Sequence, residues 1–554
     1  MLRPPVRPFL TRSDGQIAVV FALAAIPLLG FTGMAIDYGL ATRLQTKLQA
    51  ATDATALTLC QANAATTAAL LQTQANTTMS GYMGSEVGLT VDPLTVASNP
   101  RKITLTTHVT SKTFFSAITG KSGLSLAAMA QCAPPTPKTF EIALVLDTTG
   151  SMANSGGSGS KMDALKQAAS NFVDYVKSDP AFASDTRISI VPFAASVAVD
   201  PVSSATASWV DTGGKSSLHW TNIDKTQANA LGFTSRLSIF NALKTISPLW
   251  AWGGCFETLP YPQNVQDVAA TGGNDSLYVP MFAPDEPGGG TTGSTTWNGN
   301  YTFNSYIDDW NGTTSSSCTA SPSSFANAEK QACKYQNPRN AKPTSSGGVG
   351  IPNGPNFQCL SRPLQRLTSD ASTLKTLISS LNAAGSTNIH EGFMWGWRTI
   401  SPKSVFADGA SYSSATTNKV LVLMTDGANS WPDNPYTNYN QTLYFSHGYL
   451  TNADGSGPGA RLPARYQSVS STAQQRNALD ALTQEACTNA KSTGISVYTI
   501  GFSVSSDAID AQGITLLQNC ASLPSQAYVA NDSSSLIAAF KSIAKSIGAL
   551  RLTQ

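Results

Sequence analysis

The sequence predicts an α/β protein: a doubly wound, mostly parallel sheet with a large disulfide-bearing insertion, preceded by an N-terminal transmembrane helix and a small α+β segment. Three observations predict it. Apolar runs of strand length (Phe140–Leu146, Arg187–Phe193, Lys419–Met424, Ile495–Phe502) alternate with amphipathic helical stretches, the pattern of parallel strands joined by crossover helices. Two of the runs lead into an aspartate, Asp147 and, after Thr425, Asp426. Open sheets of this class bind ligands beyond the carboxyl ends of their strands. Finally, Ile17–Ile36 runs for twenty residues without a charge, enough to cross a bilayer as a helix.

The 554 residues are 41% hydrophobic and only 12% charged, with a net charge of +2. That charged share is about half the usual one. No basic run is sustained beyond the first residues, which argues against nucleic acid as a partner. Residues 1–16 are expected in the cytoplasm, because Arg3, Arg7 and Arg12 precede the apolar stretch and positive charge is held inside. Residues 37–554 then lie outside. A cleaved signal peptide is the alternative, with Gly33 and Ala35 supplying small residues for cleavage. The stretch is longer than a signal core, however. It continues into Ile36, Leu40, Leu44, Leu48 and Ala51 at helical spacing, so residues 17–57 read as one helix leaving the membrane.

Residues 58–132 form a small unit with strands at Ile103–Val109 and Leu124–Ala130. Cys60 and Cys132 bracket it and are expected to pair. Residues 133–138 hold three prolines and form a stiff linker. Residues 139–550 carry the main domain. Helices are expected at 161–177, 372–382, 390–400, 473–492 and 534–550, and a short strand at 528–529. From Asp147 to Thr387 is 387 − 147 = 240 residues, where a compact domain of this class needs roughly a third of that at ~30 or more residues per βαβ unit. The excess lies in an insertion at about 200–362, rich in Gly, Ser, Thr, Asn and Pro. It holds six of the nine tryptophans and four cysteines, and disordered segments are poor in aromatics. A shorter insertion runs over about 429–467.

Eight cysteines without a C-x-x-C pair in a low-charge exported chain read as disulfides. Helices on one side of the Ile495–Phe502 strand are expected to join Cys487 to Cys520. Cys255, Cys318, Cys333 and Cys359 are expected to pair among themselves. His108, His219, His390 and His447 are scattered and do not suggest zinc.

Three segments converge on one chemistry. Asp147-x-Thr149-x-Ser151 follows the first strand, Thr387 lies in Gly385–Ile389, and Asp426 follows Thr425. Two carboxylates and three hydroxyls make a hard, all-oxygen shell suited to Mg²⁺, Mn²⁺ or Ca²⁺. Position by position these residues resemble the metal-ion-dependent adhesion site of von Willebrand factor A domains, with Thr149 where that family usually has Ser. The resemblance implies a divalent cation, Mg²⁺ first, and a protein partner that completes its coordination with an acidic side chain. Asp14–Leu23, Pro27–Gly30, Ala35–Tyr38 and Leu48–Leu57 resemble the N-terminal segment of TadE/TadG-like proteins of Flp/Tad pilus assembly. Pseudopilins of such systems are cut after a Gly that precedes a Glu by five residues. Here Val20 stands at that distance from Gly15, which favours a permanent anchor.

Other motifs are weaker. Gly156–Lys161 lacks the glycine a phosphate loop needs before its lysine. Trp395 and Trp397 sit in a helical stretch and read as packing. Asp308, Asp309 and Asp433 lack EF-hand spacing and read as solvated loops. No catalytic triad can be assembled from the sequence. The expectation is a non-enzymatic, single-pass inner-membrane protein, anchored by residues 17–36 and working outside the cytoplasm with other pilus-assembly components. The alternatives are a structural anchor whose metal only stabilises the fold, and a metal-dependent hydrolase.

Overall fold

The computed structural model describes residues 14–549 apart from 63–65, 85–87, 99–100, 116–119, 121–122, 134–138, 272, 290–294, 298, 314–317, 345–349 and 433–437. Arg3, Arg7, Arg12, the prolines of the linker and Asp433 lie outside the described residues. The chain divides into two compact units, Met1–Thr136 and Pro137–Gln554.

In the first unit one helix runs unbroken from Asp14 to Cys60. It is long and apolar enough to cross a membrane. Val19, Phe21, Leu23, Ile26, Leu28, Leu29 and Phe31 are all more than half exposed. Further along, the same helix buries Leu48, Ala51, Ala56 and Leu59 against an antiparallel sheet of Thr90–Val91, Thr95–Ser98, Arg101–Lys112 and Gly123–Cys132. A second helix, Ala68–Met83, completes that core through Leu71, Ala75, Met79 and Met83. The Cys60–Cys132 disulfide closes the unit. The helix at 68–83 had no strong apolar periodicity to announce it; small and polar residues fill most of its length.

The second unit is built on a six-stranded sheet. Its spatial order is Ala527–Ala530, Ser496–Phe502, Thr417–Thr425, Thr139–Asp147, Arg187–Phe193 and Gln365–Thr368. The first five strands run parallel, and Gln365–Thr368 joins antiparallel at the edge. The mostly parallel expectation therefore holds for this sheet, whereas the sheets at 90–132 and 295–302 are antiparallel. The chain starts in the middle of the large sheet, adds Arg187–Phe193 on one side, and later returns to the other side of its first strand. Asp147 and Asp426 flank that reversal, where such sheets open a crevice.

Strand side chains alternate between two cores. Ile142, Leu144, Leu146, Val420, Val422 and Met424 face helices Lys161–Ser178, Ala371–Ser380 and Ser533–Ala549. Ala143, Val145, Leu421 and Leu423 face Ile389–Ile400, Thr472–Ser492 and Ala511–Cys520. Every residue of Ile389–Ile400 is buried. Its inner side lies on the sheet so closely that a Cβ at Gly396 would come within 2.3 Å of Val145 Cγ2. Its outer side is roofed by the first insertion: the rings of Trp395 and Phe256 stack at 5.8 Å, with Trp209 and Tyr278 beside them. A helix covered all round needs apolar residues all round, which accounts for Phe393, Met394, Trp395 and Trp397 together.

The first insertion is mostly irregular chain around a core of Ala198, Met281, Ala283, Phe303 and Phe357, which Leu443, Tyr444 and Tyr449 of the second insertion join. Disulfides Cys255–Cys359 and Cys318–Cys333 staple it, and Cys487–Cys520 joins two helices of the parallel-sheet body. All the expected pairings are present.

Candidate metal centre

The rim of the sheet is drawn together by backbone hydrogen bonds. Thr148 N–H donates to Phe193 O at 2.8 Å, fixing the turn that follows Asp147. Ala384 N–H donates to Thr148 O and Gly150 N–H to Gly385 O, both at 2.9 Å. Gly385 has φ +84°, a conformation glycine adopts without strain. The next residues are held from two sides: Asn388 N–H donates to Ala194 O at 3.0 Å, and Ser430 N–H donates to Thr387 O at 2.8 Å. Thr387 is thereby pinned between the first turn and the segment after Asp426.

The five sequence-predicted residues all lie on this rim. Asp147 is fully buried, and its two oxygens accept from Thr149 N–H at 2.8 Å and Thr425 Oγ1 at 2.6 Å. Thr149 Oγ1 and Ser151 Oγ are 3.1 Å apart, and Ser151 Oγ donates to Asp426 Oδ1 at 2.7 Å. Thr387 is 7% exposed, and a Cβ added at Gly427 would meet its Oγ1 at 3.7 Å. Asp147, Thr149, Ser151 and Asp426 thus form one connected network, and the Thr387 hydroxyl faces the residue beside Asp426.

Three further residues, Lys161, Asn154 and Asp507, were not anticipated. Lys161 Nζ donates to Asp426 Oδ2 at 2.9 Å and to Asp507 Oδ2 at 2.7 Å, with the lysine fully buried. Asn154 Nδ2 also donates to Asp507, at 2.8 Å. In the sequence Lys161 is merely the first residue of an amphipathic helix. Only folding brings it Asp426, a fully buried partner 265 residues away, and the half-exposed Asp507, 346 residues away.

The electrostatics follow from burial. Desolvation, and then the charge of Asp426, push the Asp147 carboxyl up to about 7. Desolvation also raises Asp426, although Lys161 and Ser151 oppose it. Burial works against the Lys161 ammonium, but its bonds to Asp507 and Asp426 outweigh it and raise its pKa. Two crowded carboxylates and three hydroxyls fit a hard divalent cation, since all are oxygen donors. Among the described residues no group of three or more His, Cys, Asp or Glu is placed to hold a metal. A cation here would therefore depend on Thr149, Ser151 and Thr387 as much as on the two aspartates.

Behind Thr387 two of the four scattered histidines are brought together. His390 and His447 have ring centroids 5.4 Å apart. His390 Nε2 faces Asn264 O at 2.8 Å, and Asn388 Nδ2 lies 3.2 Å from His447 Nδ1. Burial drives the His390 pKa down from 6.5 to about 3 and that of His447 well below its ordinary value. Both rings are therefore neutral in the folded state. Below about pH 6.5 the unfolded chain takes up protons that the folded chain refuses, so stability is lost as pH falls. From pH 6.5 to 4.5 His390 alone is expected to cost about 2.3 kcal/mol. Urea unfolding near neutrality and near pH 4.5 checks this, with His390→Gln as the reference that retains a donor for Asn264. Equal losses in both proteins would mean that folded His390 accepts the proton.

The comparisons with known proteins are of two kinds. No curated protein sequence matches the chain. Among solved structures, the chain is similar to the open conformation of the pilus adhesin SpaC from Lactobacillus rhamnosus GG (11% identity, 83% of this chain, 33% of that one, TM-score 0.31). It is also similar to the vWF domain of the type V pili tip protein Mfa5 from Porphyromonas gingivalis (10%, 76% and 98%, 0.32) and the PilB minor pilin from Streptococcus sanguinis (14%, 83% and 78%, 0.31). The chain spans about a third of the length of SpaC. These scores are too low to carry an argument about the site. At the N-terminus, residues 15–58 match the model of a family described as "Putative Flp pilus-assembly TadE/G-like".

Proposed function

We propose that this chain is a membrane-anchored, extracytoplasmic component of Flp/Tad-type pilus assembly or adhesion, binding a protein partner that offers an acidic side chain. Asp147, Thr149, Ser151, Thr387 and Asp426 are the residues that would hold a divalent cation. One observation carries the reading: backbone hydrogen bonds join the 148–150, 384–387 and 430 segments, so oxygen donors from distant parts of the chain share one rim. The family match at residues 15–58 supports the link to pilus assembly. The pairing of all eight cysteines supports a compartment outside the reducing cytoplasm.

When bound, the cation supplies positive charge between groups that otherwise repel: the partner's carboxylate and the two aspartates. The protein's own residues prepare the place. Thr149 N–H and Thr425 hold the Asp147 carboxylate in one orientation, and Ser151 ties its own hydroxyl to Asp426. Lys161 fixes the other oxygen of Asp426.

Calorimetric titration of Mg²⁺ or Mn²⁺ into the full chain in detergent tests the proposal. Asp147→Ala and Asp426→Ala are expected to abolish binding, while Ser151→Ala and Thr387→Ala weaken it, since a neutral hydroxyl gives a hard cation less than a carboxylate. Wild type and Asp147→Ala binding alike, with unchanged circular dichroism, would overturn it. The burial of Asp147, Thr149 and Asp426 favours a second reading, a structural anchor whose metal only stabilises the fold, because buried donors leave a partner little access. If EDTA lowers the melting temperature and leaves partner capture by the still-folded protein intact, that second reading wins.

A further inference from the structure

Among the described residues of the long N-terminal helix from Val19 to Leu40, the apolar side chains are exposed apart from the half-buried Ala25, and two positions one turn apart, Gly33 and Asp37, are buried. Both are covered by the loop that follows the strand Arg101–Lys112. Asp37 is 1% exposed, and its two carboxylate oxygens accept from the backbone N–H groups of Phe114 and Phe115 at 2.9 and 3.0 Å. A Cβ at Gly33 would stand 2.5 Å from Cγ of Phe115. The phenyl ring therefore lies on the helix itself, at a place only glycine leaves open.

The two rings do not belong to the unit's core. Phe114 is 67% exposed and Phe115 43%. Their height on the helix explains why. Asp37 is the first charge after the uncharged run Ile17–Ile36, so it marks the outer edge of the apolar span. Gly33 lies four residues further in, about 6 Å at 1.5 Å per residue. Phe115 thus overlaps the last turn of the span, and exposed Lys112 stands at the strand end that leads into the loop. An aromatic pair at the edge of the apolar layer with a lysine beside it is the composition of a membrane interface. A carboxylate bonded to two successive backbone amides makes the placement rigid rather than adventitious.

We propose that the Phe114–Phe115 loop is a second membrane contact, inserted in the outer interface of the bilayer that the helix crosses. This rests on the reading that residues 17–36 span a membrane. The occupant of the exposed aromatic surface is lipid, because the surface is continuous with the lipid-facing side of the span.

Photo-crosslinking of the full chain in phosphatidylcholine–phosphatidylglycerol proteoliposomes tests it. p-Benzoylphenylalanine is placed at Phe114, at Leu28 in mid-span, or at Leu57, which is 57 − 37 = 20 residues beyond Asp37, about 30 Å along the helix. Lipid adducts at Phe114 are expected within about threefold of those at Leu28 and at least about tenfold above those at Leu57. Adducts at Leu28 without adducts at Phe114 would overturn the second contact and leave the span intact. Absence at Leu28 would refute both. Crosslinks from Phe114 to another protein chain instead of lipid would also overturn the proposal.

Discussion

Replacing Glu257 with alanine is expected to destabilise the 137–554 unit by about 3–5 kcal/mol, the usual cost of leaving a buried charge without its partner. Three groups close on Glu257. Arg236 and Arg461 each pair with one of its oxygens, and Tyr444 donates a further hydrogen bond. All four residues are buried. Burial alone would raise the Glu257 pKa, but Arg236 and Arg461 hold it below the ordinary value. Arg236 and Glu257 come from the first insertion, and Tyr444 and Arg461 from the second. The network therefore locks the two insertions into one body, and its loss strands two guanidinium groups in the interior. Urea unfolding followed by tryptophan fluorescence measures the effect, since all nine tryptophans lie between Trp209 and Trp431. A loss under about 1 kcal/mol would mean that water reaches the arginines. Replacing Arg236, Glu257 and Arg461 together by apolar residues of similar volume should recover most of the loss, because desolvation then disappears with the charges.

Removing the Cys255–Cys359 disulfide by a double Cys→Ser substitution is expected to cost about 4–5 kcal/mol on the chain-entropy model. The bond spans 104 residues and closes the first insertion at its stem. Val199 N–H donates to Gly254 O there, and Leu364 N–H donates to Ala198 O just before the chain rejoins the sheet at Gln365. Cys318–Cys333 spans only 15 residues, and its loss should cost about 3 kcal/mol. The same fluorescence assay ranks the two. If the short loop proves the costlier, residual structure in the unfolded chain outweighs loop entropy.

The sheet was legible because its strands carry near-continuous apolar runs and its helices keep one apolar stripe. Phe140–Leu146 and Val420–Met424 could be read as buried strands, and the aspartates after them as rim residues, from local pattern alone. The antiparallel edge strand Gln365–Thr368 was not legible, since Gln-Arg-Leu-Thr has neither an apolar run nor a clear alternation. The cysteine pairings were readable from the order of elements for Cys487 and Cys520 and from bracketing for Cys60 and Cys132. Lys161 could not be found in this way. Its role depends on Asp426 and Asp507, both distant in the chain, and nothing near it in sequence marks a lysine that will be buried. The same holds for His390 and His447, which meet only after the second insertion folds back over Asn388. Local periodicity reports which face is covered; it carries no information about which polar groups a long insertion will bring beneath that cover.

The helix Asp14–Cys60 has a mechanical consequence. Its 47 residues make a rod of about 70 Å, and the proline it contains, Pro27, lies within the apolar part. No joint separates the span from the part that packs on the antiparallel sheet. Cys60 lies 60 − 37 = 23 residues beyond Asp37, a lever arm of about 35 Å. In a bilayer each 10° of tilt in the span would swing the Cys60 end sideways by about 6 Å, and the tilt of roughly 20° common among such helices by about 12 Å. Bilayer thickness, or a lateral pull on the span, would then set where the disulfide-closed end of the first unit stands above the membrane.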